Sequence, residues 1–289
     1  MLAESEADNN IGSMERISSR QNALVKRFRD LSRTARGTGH AARGGHAAEV
    51  LLDGEHLVHE ALACDIAVEI AAISEKALAT GRGPLARIAR DVKKRGGRVV
   101  AVTEPVLAAM SPVQHPSGVV AIGRARPADL GVVFSGQLHV PLVVIVAGVQ
   151  DPGNVGAIVR TAAAFGATGV VAIDGTANPF GWKALRGAMG GTFRIPVTGR
   201  AMLPQVLDAA RTAGVRLIAA VPRGGTPLPS LDLRVPSAIV LGAEGAGVDP
   251  DTVRAVGQTV TIPMGAPVES LNVGVAAAVI LYEAMRQRA

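Results

Sequence analysis

The chain has 289 residues, of which 48% are hydrophobic, 19% charged and 2% aromatic, and its net charge is +6. This length suits two domains or one large domain, with a core that needs no disulfide bonds. The single cysteine, Cys64, excludes a disulfide framework and any multi-cysteine zinc or iron–sulfur site. The scarcity of aromatic residues argues against a protein that reads single-stranded nucleic acid mainly by stacking bases on rings.

Hydropathy and the N-terminal sequence indicate a cytoplasmic protein without a membrane segment. The longest apolar runs, such as 142–149 and 273–281, are far shorter than the roughly 20 residues that a membrane helix needs. The chain starts with MLAESEADNN, which is acidic and polar and therefore unlike a secretory signal.

The first half predicts a small α/β domain over residues 14–125, preceded by a disordered tail at 1–13. The tail is acidic, polar and aperiodic. We predict a helix from about Ile17 to Ser32 and a glycine-rich, basic loop over 34–46. Strands alternating with helices are predicted after this loop, and the strands lie at 49–52, 67–73, 99–102 and 118–122.

Basic side chains are concentrated at the start of this domain. Residues 16–43 contain eight Lys or Arg residues and one acid, Asp30. Such a local excess of positive charge is typical of a surface that binds a polyanion, although a solvated helix face is the alternative. The candidate phosphate-binding residues are Arg27, Arg29, Arg33 and Arg36.

The second half predicts a mostly parallel sheet with helices on both faces. A segment at 126–140 is punctuated by Pro and Gly and lacks a helical period, which predicts a linker. The run at 142–147 is continuously apolar, as expected for a strand buried on both faces. Further predicted elements are helices at 153–165, 183–189 and 271–288 and strands at 169–173, 193–197, 215–220, 238–241 and 259–262.

Several common site chemistries are excluded by missing motifs. The chain has no Gly-Lys-Ser/Thr phosphate loop and no G-x-S-x-G nucleophile elbow. His56 and His59 lie three residues apart, but no third metal ligand is evident near them. We therefore expect no metal ion.

Three glycine-containing segments each follow a predicted strand. They are DPGNVGAIVR (151–160), IVLGAEGAG (239–247) and IPMGAPVESLNVG (262–274). Because parallel strands end at a common edge, where ligands bind in open α/β folds, we expect the segments to converge. Asn154 is predicted to cap one helix, and Ser270 or Asn272 to cap the last one. An exposed Arg160 and a merely structural Glu244 are the alternatives.

Taken together, NVGAIVRTAAAFG, IVLGAEGAG and IPMGAPVESLNVGVAAAVILYE resemble the three signature motifs of the SpoU (TrmH-type) RNA ribose 2′-O-methyltransferases. The resemblance covers about 140–289. Residues of about 15–125 are similar to the substrate-binding domain of the ribosomal-RNA members, which resembles kink-turn-binding ribosomal proteins. Gly274 departs from the family pattern, which often has Ser or Ala there.

The resemblance implies an α/β fold with a C-terminal SPOUT domain at 141–289, which has a parallel sheet and a deep trefoil knot. It also implies S-adenosylmethionine as methyl donor and a homodimer whose sites lie at the interface. The implied catalytic residue is Arg160, oriented by Asn154, Glu244, Ser270 and Asn272. The implied cofactor-binding residues are Leu241, Gly242, Ala243, Glu244, Ile262, Met264 and Leu271.

Arg160 has been proposed as the general base in this family, but a guanidinium is rarely deprotonated in proteins. A cation beside the ribose hydroxyl would still lower the cost of forming an alkoxide. The true general base therefore stays open.

The expected activity is methylation of a ribose 2′-hydroxyl in large-subunit ribosomal RNA. Resistance to a ribosome-targeting antibiotic of the avilamycin or thiostrepton type is a further expectation from the same group. The alternatives are a transfer-RNA methyltransferase, a non-catalytic RNA-binding or ribosome-assembly protein, and a nucleotide-dependent oxidoreductase. The target nucleotide is not specified by the sequence.

Overall fold

The computed structural model describes residues 14–34, 47–136 and 139–289. The chain divides into two compact units, with the boundary between Ala125 and Arg126. The predicted tail at 1–13, most of the glycine-rich loop and Arg36 lie outside the described residues.

The N-terminal unit contains a five-stranded sheet in the order β1-β4-β3-β5-β2. Strand β5 is antiparallel to its neighbours β2 and β3, and the other pairs are parallel. The strands are β1 (Glu15–Ile17), β2 (Ala48–Asp53), β3 (Ala67–Ser74), β4 (Arg98–Val102) and β5 (Val119–Ala125). The helices are α1 (Ala23–Thr34), α2 (Glu55–Ala63), α3 (Glu75–Leu78), α4 (Pro84–Lys94) and α5 (Glu104–Met110).

Helices cover both faces of this first sheet. The connections β2 to β3 and β3 to β4 cross the sheet in one direction, whereas β1 to β2 crosses in the other. Because such crossovers are right-handed, α2 and α4 lie on one face and α1 on the opposite face. The contacts agree, since α4 packs against α2 and α1 packs against α5.

The helix predicted from Ile17 is wrong at its start. Residues 15–17 form an edge strand that pairs with β4, and Ile17 is buried in the sheet. The helix begins at Ala23, where Asn22 accepts a hydrogen bond from the Leu24 backbone N–H at 2.8 Å. The sequence could not predict this strand, because three residues are too few to show a hydrophobic period and the partner strand lies more than 80 residues away.

The C-terminal unit contains a seven-stranded, all-parallel sheet in the order β10-β12-β9-β11-β6-β7-β8. The strands are β6 (Leu142–Val146), β7 (Gly169–Ile173), β8 (Val197–Ala201), β9 (Arg216–Ala220), β10 (Thr226–Pro227), β11 (Ser237–Leu241) and β12 (Thr259–Thr261). The helices are α6 (Leu130–Ser135), α7 (Pro152–Ala164), α8 (Trp182–Ala188), α9 (Gly191–Arg194), α10 (Leu203–Thr212), α11 (Pro250–Val256) and α12 (Val273–Arg288).

Two apolar clusters fill the two faces of this second sheet. One joins the sheet to α7 and α12 through residues such as Ile158 and Ile280. The other joins it to α6 and α10 through residues such as Phe134 and Val206. Every residue of β6 and β11 is buried, as the parallel sheet with helices on both faces requires. The predicted α/β architecture is confirmed.

Three predicted boundaries in this unit are wrong. The expected linker contains α6, whose Val133 and Phe134 are buried in the core. The expected strand at 193–197 is instead α9 followed by β8, because a left-handed turn at Gly190 lets its carbonyl accept from the Phe193 N–H at 3.0 Å. The last helix begins at Val273 rather than Leu271.

No helix in the described parts of the chain is both long and apolar enough to span a bilayer.

Candidate active site

A cleft of about 380 Å³ lies at the carboxyl ends of β9, β11 and β12, beside the N-terminus of α12. This is the edge at which open α/β sheets bind ligands, and the volume falls in the range of small-molecule sites. Its lining residues are 220–222, 241–245, 247, 260, 262, 264, 270–273, 276 and 280.

The loop after β11 is a closed turn made possible by glycine. The Ala243 and Gly247 backbones exchange two hydrogen bonds of 3.0 and 2.9 Å. Gly245 and Gly247 have φ values of +81° and +70°, which favour glycine. A Cβ on Gly242 would lie 2.0 Å from the Gly247 carbonyl carbon, so no larger residue fits while the turn keeps this shape.

Side-chain amides join the three glycine-containing segments. Asn154 Nδ2 donates to Glu244 Oε1 at 2.5 Å, and Asn272 Nδ2 donates to Asn154 Oδ1 at 3.2 Å. These residues come from α7, the turn after β11 and the start of α12, respectively. The structure therefore brings the three segments into direct contact.

The helix caps differ in part from the prediction. Asp151, not Asn154, caps α7, because its Oδ1 accepts from the Gly153 N–H at 2.6 Å. Asn154 lies inside the helix, where its amide reaches across to Glu244. Asn272 caps α12 by accepting from Gly274 N and Val275 N at 2.9 and 3.3 Å. Ser270 lines the cleft but does not cap the helix.

Two threonines fix the loops around this edge. Thr176 Oγ1 donates to the Val146 carbonyl and accepts from Gly148 N, both at 3.0 Å. Thr261 Oγ1 donates to the Val221 carbonyl at 3.1 Å and accepts from Gly225 N at 2.9 Å. Each hydroxyl therefore ties the end of one strand to the loop after its neighbour.

All seven residues predicted to bind the cofactor line the cleft. Leu241 is buried beneath it, whereas Leu271 is 36% exposed. The sequence reasoning missed the wall formed by 220–222 after β9 and the α12 residues Ala276 and Ile280. The Pro222-Arg223-Gly224 turn after a predicted strand was the one available signal for the first wall.

Arg160 is not among the residues that line the cleft. Its side chain is exposed, and it has no hydrogen bond or ion pair with any residue that the structure describes. It follows Asn154 by six residues, so the helical period directs the two side chains to different sides of α7. A Cβ on Gly191 would lie 3.3 Å from Arg160 Cα, so glycine lets this turn pack against the helix beside Arg160.

Gly274, which stands where the resembled family often has Ser or Ala, is a site of helix packing and does not belong to the cleft. Gly274 does not line the cleft. A Cβ added there would lie 3.2 Å from Asn272 Oδ1 and 3.5 Å from the Ala157 Cβ. Its neighbours are therefore the cap of α12 and the surface of α7.

The basic residues predicted to contact phosphate differ in their surroundings. Arg29 and Arg33 are exposed on α1. Arg27 instead donates to Glu49 and Glu69, the latter at 2.8 Å. Burial alone would raise the pKa of Glu69, but hydrogen bonds from Arg124 and Arg27 lower it below its ordinary value. Arg27 therefore has carboxylate partners within its own unit.

Among the described residues, no group of three or more His, Cys, Asp or Glu side chains is placed to hold a metal ion.

Residues 141–282 match the model of the SpoU rRNA Methylase family. An uncharacterized tRNA/rRNA methyltransferase of Synechocystis sp. is 33% identical to this chain, and the match covers 94% of each protein. The 23S rRNA (guanosine(2553)-2′-O)-methyltransferase RlmP of Bacillus subtilis is 32% identical over 80% of this chain and 86% of its own.

Two solved structures with bound AdoMet are similar over nearly the whole chain. An rRNA methyltransferase from Sinorhizobium meliloti has a TM-score of 0.77 and 26% identity, over 94% of this chain and 98% of that one. The SpoU methyltransferase AviRb from Streptomyces viridochromogenes has a TM-score of 0.78 and 27% identity, over 93% of this chain and 98% of that one.

Proposed function

Because the chain belongs to the SpoU rRNA methylase family, whose members bind S-adenosylmethionine, we propose that it methylates a ribose 2′-hydroxyl of large-subunit ribosomal RNA. The observation that carries the proposal is the contact of Asn154, Glu244 and Asn272 at the edge of one cleft. The 2′-hydroxyl and ribosomal RNA are favoured by the relative RlmP, whose name states both. A ribosomal substrate also implies a cytoplasmic protein.

The residues of the cleft fit S-adenosylmethionine. Leu241, Ile262 and Leu271 provide apolar surface for an adenine ring, and the backbone of 241–245 offers polar groups to its edge. The lining includes one acid, Glu244, and no Lys, Arg or His. This charge balance suits a cationic sulfonium. When bound, S-adenosylmethionine supplies an electrophilic methyl group.

We assign Arg160 to the RNA rather than to the cofactor. Its guanidinium has no partner in the described part of the chain, so it is available to the target ribose or its phosphate. A guanidinium stays protonated, so its role would be to stabilise negative charge on the hydroxyl oxygen. Asn154, Glu244, Ser270 and Asn272 would hold the surrounding loops in place.

The Arg160→Ala variant tests this role. We expect it to keep its affinity for S-adenosylmethionine and to lose about 100- to 1,000-fold in methyl transfer, as for loss of an oxyanion-stabilising group. Calorimetry and a tritium-transfer assay measure the two quantities. The control is Arg254→Ala, because Arg254 is 71% exposed and paired with Asp251. Equal turnover in both variants would remove Arg160 from the mechanism.

A homodimer is part of the proposal, with α12 as its contact surface. Val275, Val279 and Tyr282 follow at intervals of four and three residues and are 49%, 37% and 53% exposed. The Tyr282 ring contacts Phe165 edge to face at 5.9 Å, which continues the stripe onto the end of α7. A second copy would cover this stripe and could bring an Arg160 toward the cleft of its partner.

Sedimentation of Val279→Glu/Tyr282→Glu tests the dimer. The wild type should sediment as a dimer and the variant as a folded monomer. A wild-type monomer at micromolar concentration would contradict the proposed dimer.

Three finer features of the family are also part of the proposal. The deep trefoil knot is supported by the non-sequential strand order and by the return of the chain from β12 to pack α12 against α7. The N-terminal unit is proposed to be the RNA substrate-binding domain, similar to kink-turn-binding proteins. Resistance of the avilamycin or thiostrepton type is proposed from the resemblance of the sequence motifs, and growth with each antibiotic tests it.

Mass mapping of ribose methylation tests the function as a whole. Transcribed 23S ribosomal RNA and transfer RNA are incubated with the protein and S-adenosylmethionine. We expect one new 2′-O-methyl group in the ribosomal RNA. Methylation of transfer RNA alone would move the assignment to the transfer-RNA class, and the absence of transfer to either RNA would favour a non-catalytic RNA-binding protein.

A further inference from the structure

One face of helix α4 in the N-terminal unit carries three exposed cations. Arg87, Arg90 and Lys94 are spaced by three and four residues, which places them on one side of the helix. The opposite side buries Ile88 and Val92. At a rise of about 1.5 Å per residue, the three cations extend over about 10 Å.

These cations lack acidic partners in the part of the chain that the structure describes. Neither Arg87, Arg90 nor Lys94 takes part in an ion pair or a side-chain hydrogen bond there. Basic residues just beyond the helix behave differently, since Arg95 pairs with Asp65 at 2.9 Å and Arg98 pairs with Glu15. The α4 face is therefore left free while its neighbours are neutralised.

Like charges follow one another along this face of α4. Arg87 lies in the first turn of α4, where the helix dipole favours acids, and this turn contains none. Arg90 follows Arg87 by three residues and precedes Lys94 by four, and like charges at these spacings repel. Asp91, the one acid of α4, lies four residues after Arg87 and three before Lys94 but forms no ion pair with either in the described part of the chain, so the three cations remain available to a polyanionic partner.

This face is separate from the basic residues of α1. Helix α4 packs with α2 on one side of the five-stranded sheet, and α1 packs with α5 on the other. We propose that the α4 face, formed by Arg87, Arg90 and Lys94, is a second contact for the RNA phosphate backbone, so that the N-terminal unit binds RNA on both faces of its sheet. The choice of RNA as the polyanion rests on the proposed function.

The double variant Arg87→Gln/Arg90→Gln tests this contact in the full-length protein. The probe is transcribed 23S ribosomal RNA, and its affinity is measured between 50 and 200 mM salt. Each lost phosphate contact lowers the salt slope by about 0.9, so the slope should fall by about 1.8. The affinity should drop on the order of 10-fold at the low-salt end. The melting temperature should be unchanged, because both arginines are exposed and form no ion pair in the described part of the chain.

The matched control is Arg211→Gln/Arg254→Gln, which removes two exposed arginines of the C-terminal unit that are paired with Asp208 and Asp251. A slope in the test variant equal to that of the control would overturn the proposal. So would α4-dependent binding to phosphatidylglycerol vesicles without any change in RNA binding, because the partner would then be a membrane.

Methyl transfer by the wild type is measured in the same samples. No transfer combined with α4-dependent RNA binding would overturn the proposed function and leave the α4 contact standing. Normal transfer by the wild type, combined with an unchanged salt slope in the double variant, would overturn the α4 contact and leave the proposed function standing.

Discussion

The cleft of the C-terminal unit and the basic helices of the N-terminal unit use polar residues in opposite ways. At the cleft, the Asn154 side chain is hydrogen-bonded to Glu244 and Asn272, and Asn272 also accepts from the backbone of α12. On α1 and α4, residues such as Arg29 and Arg87 are exposed and separate. The first arrangement fixes atoms in space, and the second provides charge without fixed geometry.

This difference separates two kinds of recognition. A bonded network fixes the positions of its atoms, so a small change in it should impair cofactor binding or methyl transfer specifically. Exposed cations act by counterion release, so their loss should weaken binding gradually, and most strongly at low salt. Variants in the two regions should therefore fail differently.

After the loss expected for Arg160→Ala, the next largest effect is expected at Gly242 in the turn after β11. In Gly242→Ala the new Cβ would lie 2.0 Å from the Gly247 carbonyl carbon, and the turn must open. Strain of about 1–3 kcal/mol in the turn that lines the cleft should weaken cofactor affinity about 5- to 150-fold. Calorimetric titration with S-adenosylmethionine measures it. Gly131→Ala on α6 is the control, because an added Cβ there meets nothing within 4 Å.

Asn272 allows the cap and the link between segments to be tested apart. Asn272→Ser keeps a good capping residue but loses the amide that donates to Asn154. We expect a loss on the order of 10-fold in methyl transfer, because the bond that links α12 to Asn154 is gone, and a loss of stability of at most about 1 kcal/mol for that exposed hydrogen bond. Asn272→Ala should additionally lose about 1 kcal/mol in urea unfolding. Equal stability of Ala and Ser variants would argue against the cap.

Variants of helix α1 test the basic helices of the N-terminal unit. Arg29→Gln/Arg33→Gln should lower the salt slope of RNA binding by about 1.8 and leave stability unchanged, because both side chains are exposed. Arg27→Gln should instead lose about 0.5–1 kcal/mol of stability, because Arg27 pairs with Glu49 and Glu69. Urea unfolding and filter binding measure these changes. A larger loss of RNA affinity from Arg27→Gln would reverse this assignment.

The smallest effect is expected at Glu283 on α12. Hydrogen bonds from Arg286 and then Gln287 lower the pKa of Glu283 from its ordinary 4.5 to about 2. Between these values the unfolded chain binds more protons, so this contribution to stability is lost as pH falls from about 4.5 to 2. Glu283→Gln should therefore show a smaller drop in urea midpoint between pH 5 and pH 3 than the wild type. An equal drop in urea midpoint for the variant and the wild type would contradict the lowered pKa of Glu283.

The sequence predicted elements with a long period or a continuous apolar run. The strand at 142–147 and the last helix are examples, and the structure contains both. Edge strand β1 and helix α9 were missed, because each has three or four residues and depends on partners outside the segment. Helix α6 was missed because its six residues span fewer than two turns and are flanked by Pro and Gly residues.

The candidate site could be predicted where a motif continues directly from a strand. The turns after β11 and β12 carry such motifs, and all their predicted cofactor residues line the cleft. The wall at 220–222 could not be predicted in the same way, because nothing local places β9 between β11 and β12. The pairing of Arg27 with Glu49 and Glu69 is likewise a product of tertiary structure.

The most direct test is a crystal structure of the protein with S-adenosylmethionine. The account predicts density for the donor in the cleft, in contact with the turn at 241–245, with Ile262 and with Leu271. Density for the donor at any other place on the protein, with this cleft filled only by solvent, would contradict it.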